Sequence, residues 1–152
     1  MTASYEDAEA VRSTVVAVAH LIDHKRWAEL QKLFAAAVRT DYTSLFGGTP
    51  EEQKAGALVD GWRGSLGKVA TQHLLGPIAL HVTGAAARAS CHVRALHHAP
   101  GASGGPTWEV LGHYEFDLAR GTEGWTITGL TLQTFVQTGN TKLLSEAEGA
   151  AR

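Results

Sequence analysis

Val11, Val15, Val18 and Ile22 recur at helical spacing behind Glu6, Asp7 and Glu9, which predicts a helix over about 5–24 with acids in its favourable first turn. Trp27, Leu30 and Leu33 repeat in three-residue steps and predict a second, shorter helix over about 26–33. Residues 37–44 read as a strand and Gly47-Gly48 as a turn. Thr49-Pro50-Glu51-Glu52 reads as the start of a third helix, with Thr49 as cap and Pro50 at its first position, running to about Leu66. After Gly67 the character changes to long strands, about 69–82, 86–98, 108–119 and 125–138, separated by Thr83-Gly84, the glycine-rich loop 100–106 and the turn 120–124. The first of them bends at Gly76-Pro77, because proline has no N–H to give a central ladder. Helices first and meandering strands later is the α+β order, not the alternation of a doubly wound parallel sheet. Without an internal repeat or a linker, 1–152 reads as a single domain with its core at about 5–140 and a tail, 141–152, that is a short helix or a frayed end.

Composition narrows the function classes. A hydrophobic fraction of 44% and a charged fraction of 18% suit a packed soluble domain. A net charge of −2 gives no electrostatic case for nucleic acid or a membrane surface, so function must come from a pocket. Cys91, the single cysteine, excludes an intrachain disulfide and a thiolate cluster, and its strand context reads as a buried structural thiol. The acidic N-terminus lacks the basic and apolar stretches of a signal peptide, and no apolar run approaches the ~18 residues that span a bilayer; a cytoplasmic protein is expected.

Two residues stand out by position. Asp23 ends the first helix, where the macrodipole disfavours a carboxylate by roughly 0.3–1 kcal/mol, and it shares a face with Val16 and Ala19. It reads either as a solvated turn residue neutralised by Lys25 or Arg26 or as a functional acid. His73 lies on one strand face with Thr71 and Leu75, and reads either as a hydrogen-bonded core or surface group or as a catalytic one. His20 and His24, four apart on a helix, could chelate an ion, but no interposed glutamate or third ligand accompanies them; no metal and no cofactor is expected. Nor does a phosphate loop or serine elbow occur, since the loop 101–105 precedes a strand.

Taken together, Leu21-Ile22-Asp23-His24-Lys25-Arg26-Trp27, Thr40-Asp41-Tyr42-Thr43-Ser44, Thr71-Gln72-His73-Leu74-Leu75-Gly76, Gly112-His113-Tyr114, Gly124-Trp125-Thr126-Ile127 and Thr138-Gly139-Asn140 resemble the SnoaL-like members of the NTF2-like superfamily. That group includes scytalone dehydratase, ketosteroid isomerase, limonene epoxide hydrolase, polyketide cyclases and the lindane dehydrochlorinase. The resemblance covers about 5–147 and implies a cone-shaped α+β barrel of the cystatin-like kind, N-terminal helices packed on a curved, mostly antiparallel sheet. It also implies that Asp23 orients His73 as a general base, that Tyr42 is an electrophilic donor to a developing enolate, and that a second histidine falls on His98, positioned to protonate a departing hydroxyl. Ile22, Phe116 and Leu118 stand where scytalone dehydratase has polar groups, which implies a more apolar ligand.

Strand alternation makes Trp108, Val110, Tyr114 and Phe116, with Trp62 and Phe135, the candidate pocket wall, each otherwise a core residue, and turns His113 and Asp41 away. The expected function is a cofactor-independent lyase, a dehydratase acting on a small cyclic, carbonyl-bearing substrate of polyketide, terpenoid or steroid type. Its alternatives are an isomerase or cyclase, or a non-catalytic module that binds a hydrophobic ligand. Leu111 and Leu132, expected to be exposed on a broad sheet, suggest a homodimer or homotrimer.

Overall fold

The computed structural model describes residues 4–149. Helix α1 (Tyr5–Asp23) starts at Ser4, whose Oγ accepts from the Asp7 N–H at 3.1 Å. Val11, Val15, Val18, Ala19 and Ile22 make its buried face, as their spacing predicts. The helix stops in a Schellman motif: Lys25 N–H donates to the Ile22 carbonyl at 3.0 Å and Arg26 N–H to that of Leu21 at 2.9 Å. Lys25 holds φ at 58°, the left-handed position that glycine usually fills and that costs another residue about 1–2 kcal/mol. A short α2 (Trp27–Gln31) leads into β1 (Phe34–Asp41).

Two expectations for the next segment are corrected. The strand ends at Asp41, because Asp41 Oδ1 accepts from Thr43 N–H at 3.0 Å and Thr43 Oγ1 at 2.7 Å and turns the chain into the one-turn α3 (Thr43–Phe46). Thr49 and Pro50 do not open a helix. Glu51–Lys54 forms β2, pairing antiparallel with β1 from Ala37↔Lys54 to Thr40↔Glu51, and α4 (Ala55–Leu66) begins only where the apolar helical spacing does. An otherwise open edge of β1 takes these four polar residues as its partner strand, which overrides the local cap signal.

The expected strand 69–82 does not merely bend but breaks around Gly76-Pro77 into β3 (Ala70–Leu75) and β4 (Ala79–Thr83), while β5 (Ala86–His98), β6 (Thr107–Gly121) and β7 (Gly124–Gly139) follow the expected boundaries closely, with α5 (Leu143–Gly149) after them. They build a 7-stranded sheet in the order β2-β1-β7-β6-β5-β3, with β4 also on β5; only the β1–β7 pair is parallel. This is the α+β cone that the resemblance implies.

Two irregularities in the β6–β7 ladder, at Asp117/Leu118 and at Leu111/Gly112, set which side chains face in. The first reverses the alternation of β7, so Trp125 and Ile127 point inward before it and Leu130 and Leu132 after it. Leu132 is therefore buried, not exposed, and Leu111 is half-buried. The second leaves Phe135 unpaired and 54% exposed, its ring 6.2 Å from His92 on the outer face. Glycine is required at 112, where a Cβ would lie 2.3 Å from the Gln133 carbonyl oxygen.

Buried residues divide into two clusters. One packs Val11, Val15, Leu30, Val38, Phe116, Leu118 and Ile127 under α1; the other gathers Val69, Val93, Trp108, Val110, Leu132 and Leu143 at the opposite end of the sheet. Among the described residues no helix is long and apolar enough to cross a membrane.

Candidate active site

Between the two clusters lies a cavity of about 90 Å³. Its floor is His73, and its walls come from α1 (Ile22), α4 (Trp62, Leu66), β5 (Val93, Ala95, His97), β6 (Trp108, Val110, Tyr114) and β7 (Leu132). Tyr42, Leu45 and Phe46 from the β1–α3 turn and Leu144 of α5 complete it.

The Schellman turn delivers Asp23 at the last helical position directly onto β3. Asp23 Oδ1 accepts from His73 Nδ1 at 2.7 Å and from Thr71 Oγ1 at 2.9 Å, and Oδ2 accepts from the His73 backbone N–H at 2.9 Å. The pair is nearly buried, with 7% of the His73 side chain and 16% of Asp23 exposed. Burial alone would raise the Asp23 pKa, but the hydrogen bonds from the His73 ring, its backbone N–H and Thr71 outweigh it and hold the carboxyl below its ordinary value. Asp23 is thus an acceptor, so His73 Nδ1 carries the hydrogen and Nε2 is the basic nitrogen left for the cavity.

A second imidazole faces the first. His97 is 6% exposed, its ring centroid 6.0 Å from that of His73 and edge-on to it, and it stacks on Trp108 at 4.5 Å. Its Nδ1 lies 3.2 Å from the Trp108 carbonyl oxygen, which can only accept, so Nδ1 is the protonated nitrogen. Burial, then repulsion from a charged His73, pushes the His97 pKa down to about 4 against the support of that carbonyl. At neutral pH His97 is a neutral acceptor at Nε2.

Across the cavity lie the phenols of Tyr42 and Tyr114, and burial raises both pKa values. Both phenols stay neutral and can donate.

Of the residues expected at the site, Asp23, His73, Tyr42, Trp62, Trp108, Val110 and Tyr114 come together here. Three do not. His98 alternates with His97 on β5 and points to the other sheet face, where it pairs with Ala70 and Thr107. Phe116 is sealed in the cluster under α1, and Phe135 sits on the outer face at the β7 irregularity. His97, Leu45 and Phe46 join the wall unanticipated. The inward set that begins at Ala87 and runs through Ala89, Cys91, Val93 and Ala95 carries on to His97, a count that a single strand sequence permits.

A SnoaL-like domain model matches residues 3–131, and the chain belongs to that family. No curated protein matches it. Among solved structures it is similar to the Kfla4162 protein of Kribbella flavida, at 25% identity and a TM-score of 0.81, over 91% of this chain and 99% of that one. A protein of Novosphingobium aromaticivorans described as "Putative Scytalone Dehydratase" is similar at 20% identity and TM-score 0.73, over 88% of this chain and 87% of that one. An NTF2-like protein with a cystatin-like fold from the same organism follows at 21% and 0.65, over 84% and 80%.

Proposed function

We propose that this protein is a cofactor-independent lyase, a dehydratase that removes water from a small, largely apolar ring compound carrying a carbonyl group. The observation that carries the proposal is the His73 ring held at 2.7 Å by a nearly buried carboxylate, with its other nitrogen turned to a largely apolar cavity. In the reaction His73 Nε2 takes a proton from the carbon beside the carbonyl, and Asp23 stabilises the imidazolium formed. Negative charge develops on the carbonyl oxygen, which accepts from the Tyr42 hydroxyl, with the Tyr114 phenol on the same cavity wall. The enolate then expels the β-hydroxyl as water, and the proton that group needs comes back from His73.

The neutral state of His97 supports this one-base route. With Nδ1 tied to the Trp108 carbonyl it has no proton to give, so it serves as acceptor for the substrate hydroxyl and aims it at the imidazolium. The role first assigned to His98 is thereby divided: His73 protonates, His97 orients. Two proton transfers on one nitrogen make the elimination syn. The SnoaL-like family includes dehydratases, isomerases and cyclases, and the Novosphingobium relative bears a dehydratase name, which is consistent with the reading.

The test is a panel of cyclic β-hydroxy ketones followed by loss of α-deuterium and gain of enone absorbance. Dehydration by the wild type and its loss, by a factor of about 10²–10⁴, in folded His73→Gln bear the proposal out. Exchange of α-deuterium without water loss would assign the pair to isomerisation, and a His73→Gln variant that turns over normally would end the mechanism.

A further inference from the structure

A half-buried lysine stands behind the pair. Lys25 Nζ donates to Thr71 Oγ1 at 3.1 Å, and Thr71 Oγ1 donates in turn to Asp23 Oδ1 at 2.9 Å, the oxygen that holds His73 Nδ1 at 2.7 Å. The chain of contacts runs in one sense. An ammonium can only donate, so the Thr71 lone pair is taken and its hydrogen is committed to Asp23. Every hydrogen bond that Asp23 makes is then one it accepts.

The backbone under Lys25 gives a second, independent sign. It occupies the left-handed position of the Schellman turn, where glycine would be free of strain. That left-handed turn brings the Lys25 amine to β3, and its stem runs past Trp27, with Nζ 5.8 Å from the ring centroid. A non-glycine residue held in an unfavourable conformation beside a candidate catalytic pair points to its side chain as the reason.

We infer that Lys25 is a positioning residue for the Asp23–His73 pair: through Thr71 it fixes Asp23 as an acceptor and holds Asp23 Oδ1 on the His73 Nδ1–H. This rests on the proton-transfer reading of the pair. With the Thr71 hydroxyl committed to Asp23, the carboxylate keeps one orientation, and the His73 ring keeps its hydrogen on Nδ1 and turns Nε2 to the cavity. Without the ammonium the Thr71 hydroxyl is free to turn, and Asp23 loses one of the three hydrogen bonds that aim it.

The test is ¹H–¹⁵N NMR of the His73 ring at a single pH without substrate, its Nδ1–H signal assigned by its disappearance in His73→Gln. Lys25→Met and Lys25→Gly remove the ammonium, and Lys25→Gly also relieves the backbone, so at least one folded variant is available. Both are expected to move the Nδ1–H proton upfield and to speed its exchange with water, as the hydrogen bond to Asp23 loosens. Lys25→Arg is expected to leave the signal in place. A purely structural lysine would alter the melting temperature and not this signal, so an Nδ1–H signal unchanged in folded Lys25→Gly overturns the inference. Because no turnover is read, that failure is separate from a failure of the dehydratase proposal, which His73→Gln decides.

Discussion

The two ends of the sheet are built from the same strands by the same alternation, yet one is solid and the other hollow. On β6 the inward set runs Trp108, Val110, Tyr114, Phe116, Leu118; on β5 it runs Ala87, Ala89, Cys91, Val93, Ala95, His97. At the low-numbered end of β5 the inward residues are small because α1 lies on them, and Val11, Val15 and Phe116 fill the space to full density. At the other end α1 has already stopped at Asp23, so nothing of its width covers Val93, Ala95 and His97. The cavity is what remains beyond the end of a helix, and the residue that ends the helix is the one that holds the His73 ring. A single backbone event, the turn at Lys25, therefore both opens the pocket and sets Asp23 against His73.

The sharpest way to break this division is to cut each end and compare. His73→Gln and Asp23→Asn are expected to lower turnover by about 10²–10⁴-fold, with unfolding midpoints that stay close to wild type. Phe116→Ala should do the converse, losing about 3–5 kcal/mol in urea denaturation while any folded fraction retains its turnover per molecule. If Phe116→Ala changes the pH profile of turnover, or His73→Gln unfolds the chain, the two ends are not separable in this way.

Acid should distinguish the ends next. His97 has a pKa near 4 when folded and the ordinary 6.5 when unfolded, so the unfolded chain binds the proton first. Its contribution to stability is intact above about pH 6.5, falls as pH drops from there towards 4, and changes no further below that. Between pH 7 and pH 5 the wild type should lose about 2 kcal/mol more than His97→Phe, whose ring can keep the stack on Trp108. Comparing slopes over this window avoids the carboxylates, whose lowered pKa values matter only in stronger acid. Equal slopes would show that His97 is not held neutral by burial.

How much of this was legible beforehand depends on range. Long strands with turn-rich separators, and a helix with a clean apolar stripe, announce themselves locally, and β5 lies where its composition puts it. The stretch 42–54 does not. Asp41 ends β1 by a hydrogen bond two residues on, and Glu51–Lys54 becomes a strand only because β1 has a free edge. Phe135 and Leu132 were misplaced for one reason: an inserted residue in β7 reverses facing, and the insertion depends on which β6 residue each β7 residue meets. His98, which the resemblance implies, and His97, which the structure places at the cavity, are told apart only by the alternation of β5 counted from Ala87. Asp23 and His73 were visible as oddities, but nothing local says that a helix end and a strand fifty positions later touch. The family resemblance carried that pairing.

The smallest effect should come from the rim, where the hollow end meets solvent. Phe46 is 66% exposed, yet its ring lies 6.5 Å from Tyr42 and 6.4 Å from Trp108 and forms part of the cavity wall. Because it buries little, Phe46→Ala should move stability by no more than about 0.5 kcal/mol. What it removes is an apolar face over the mouth, so a ring substrate should lose part of its desolvation on binding and KM should rise about three- to tenfold. The chemical step, which the proposed mechanism places on His73 and Asp23 deeper in, should proceed at nearly the same kcat. A fall in kcat with KM unchanged would place Phe46 with the reacting groups and move the boundary between wall and machinery out to the rim.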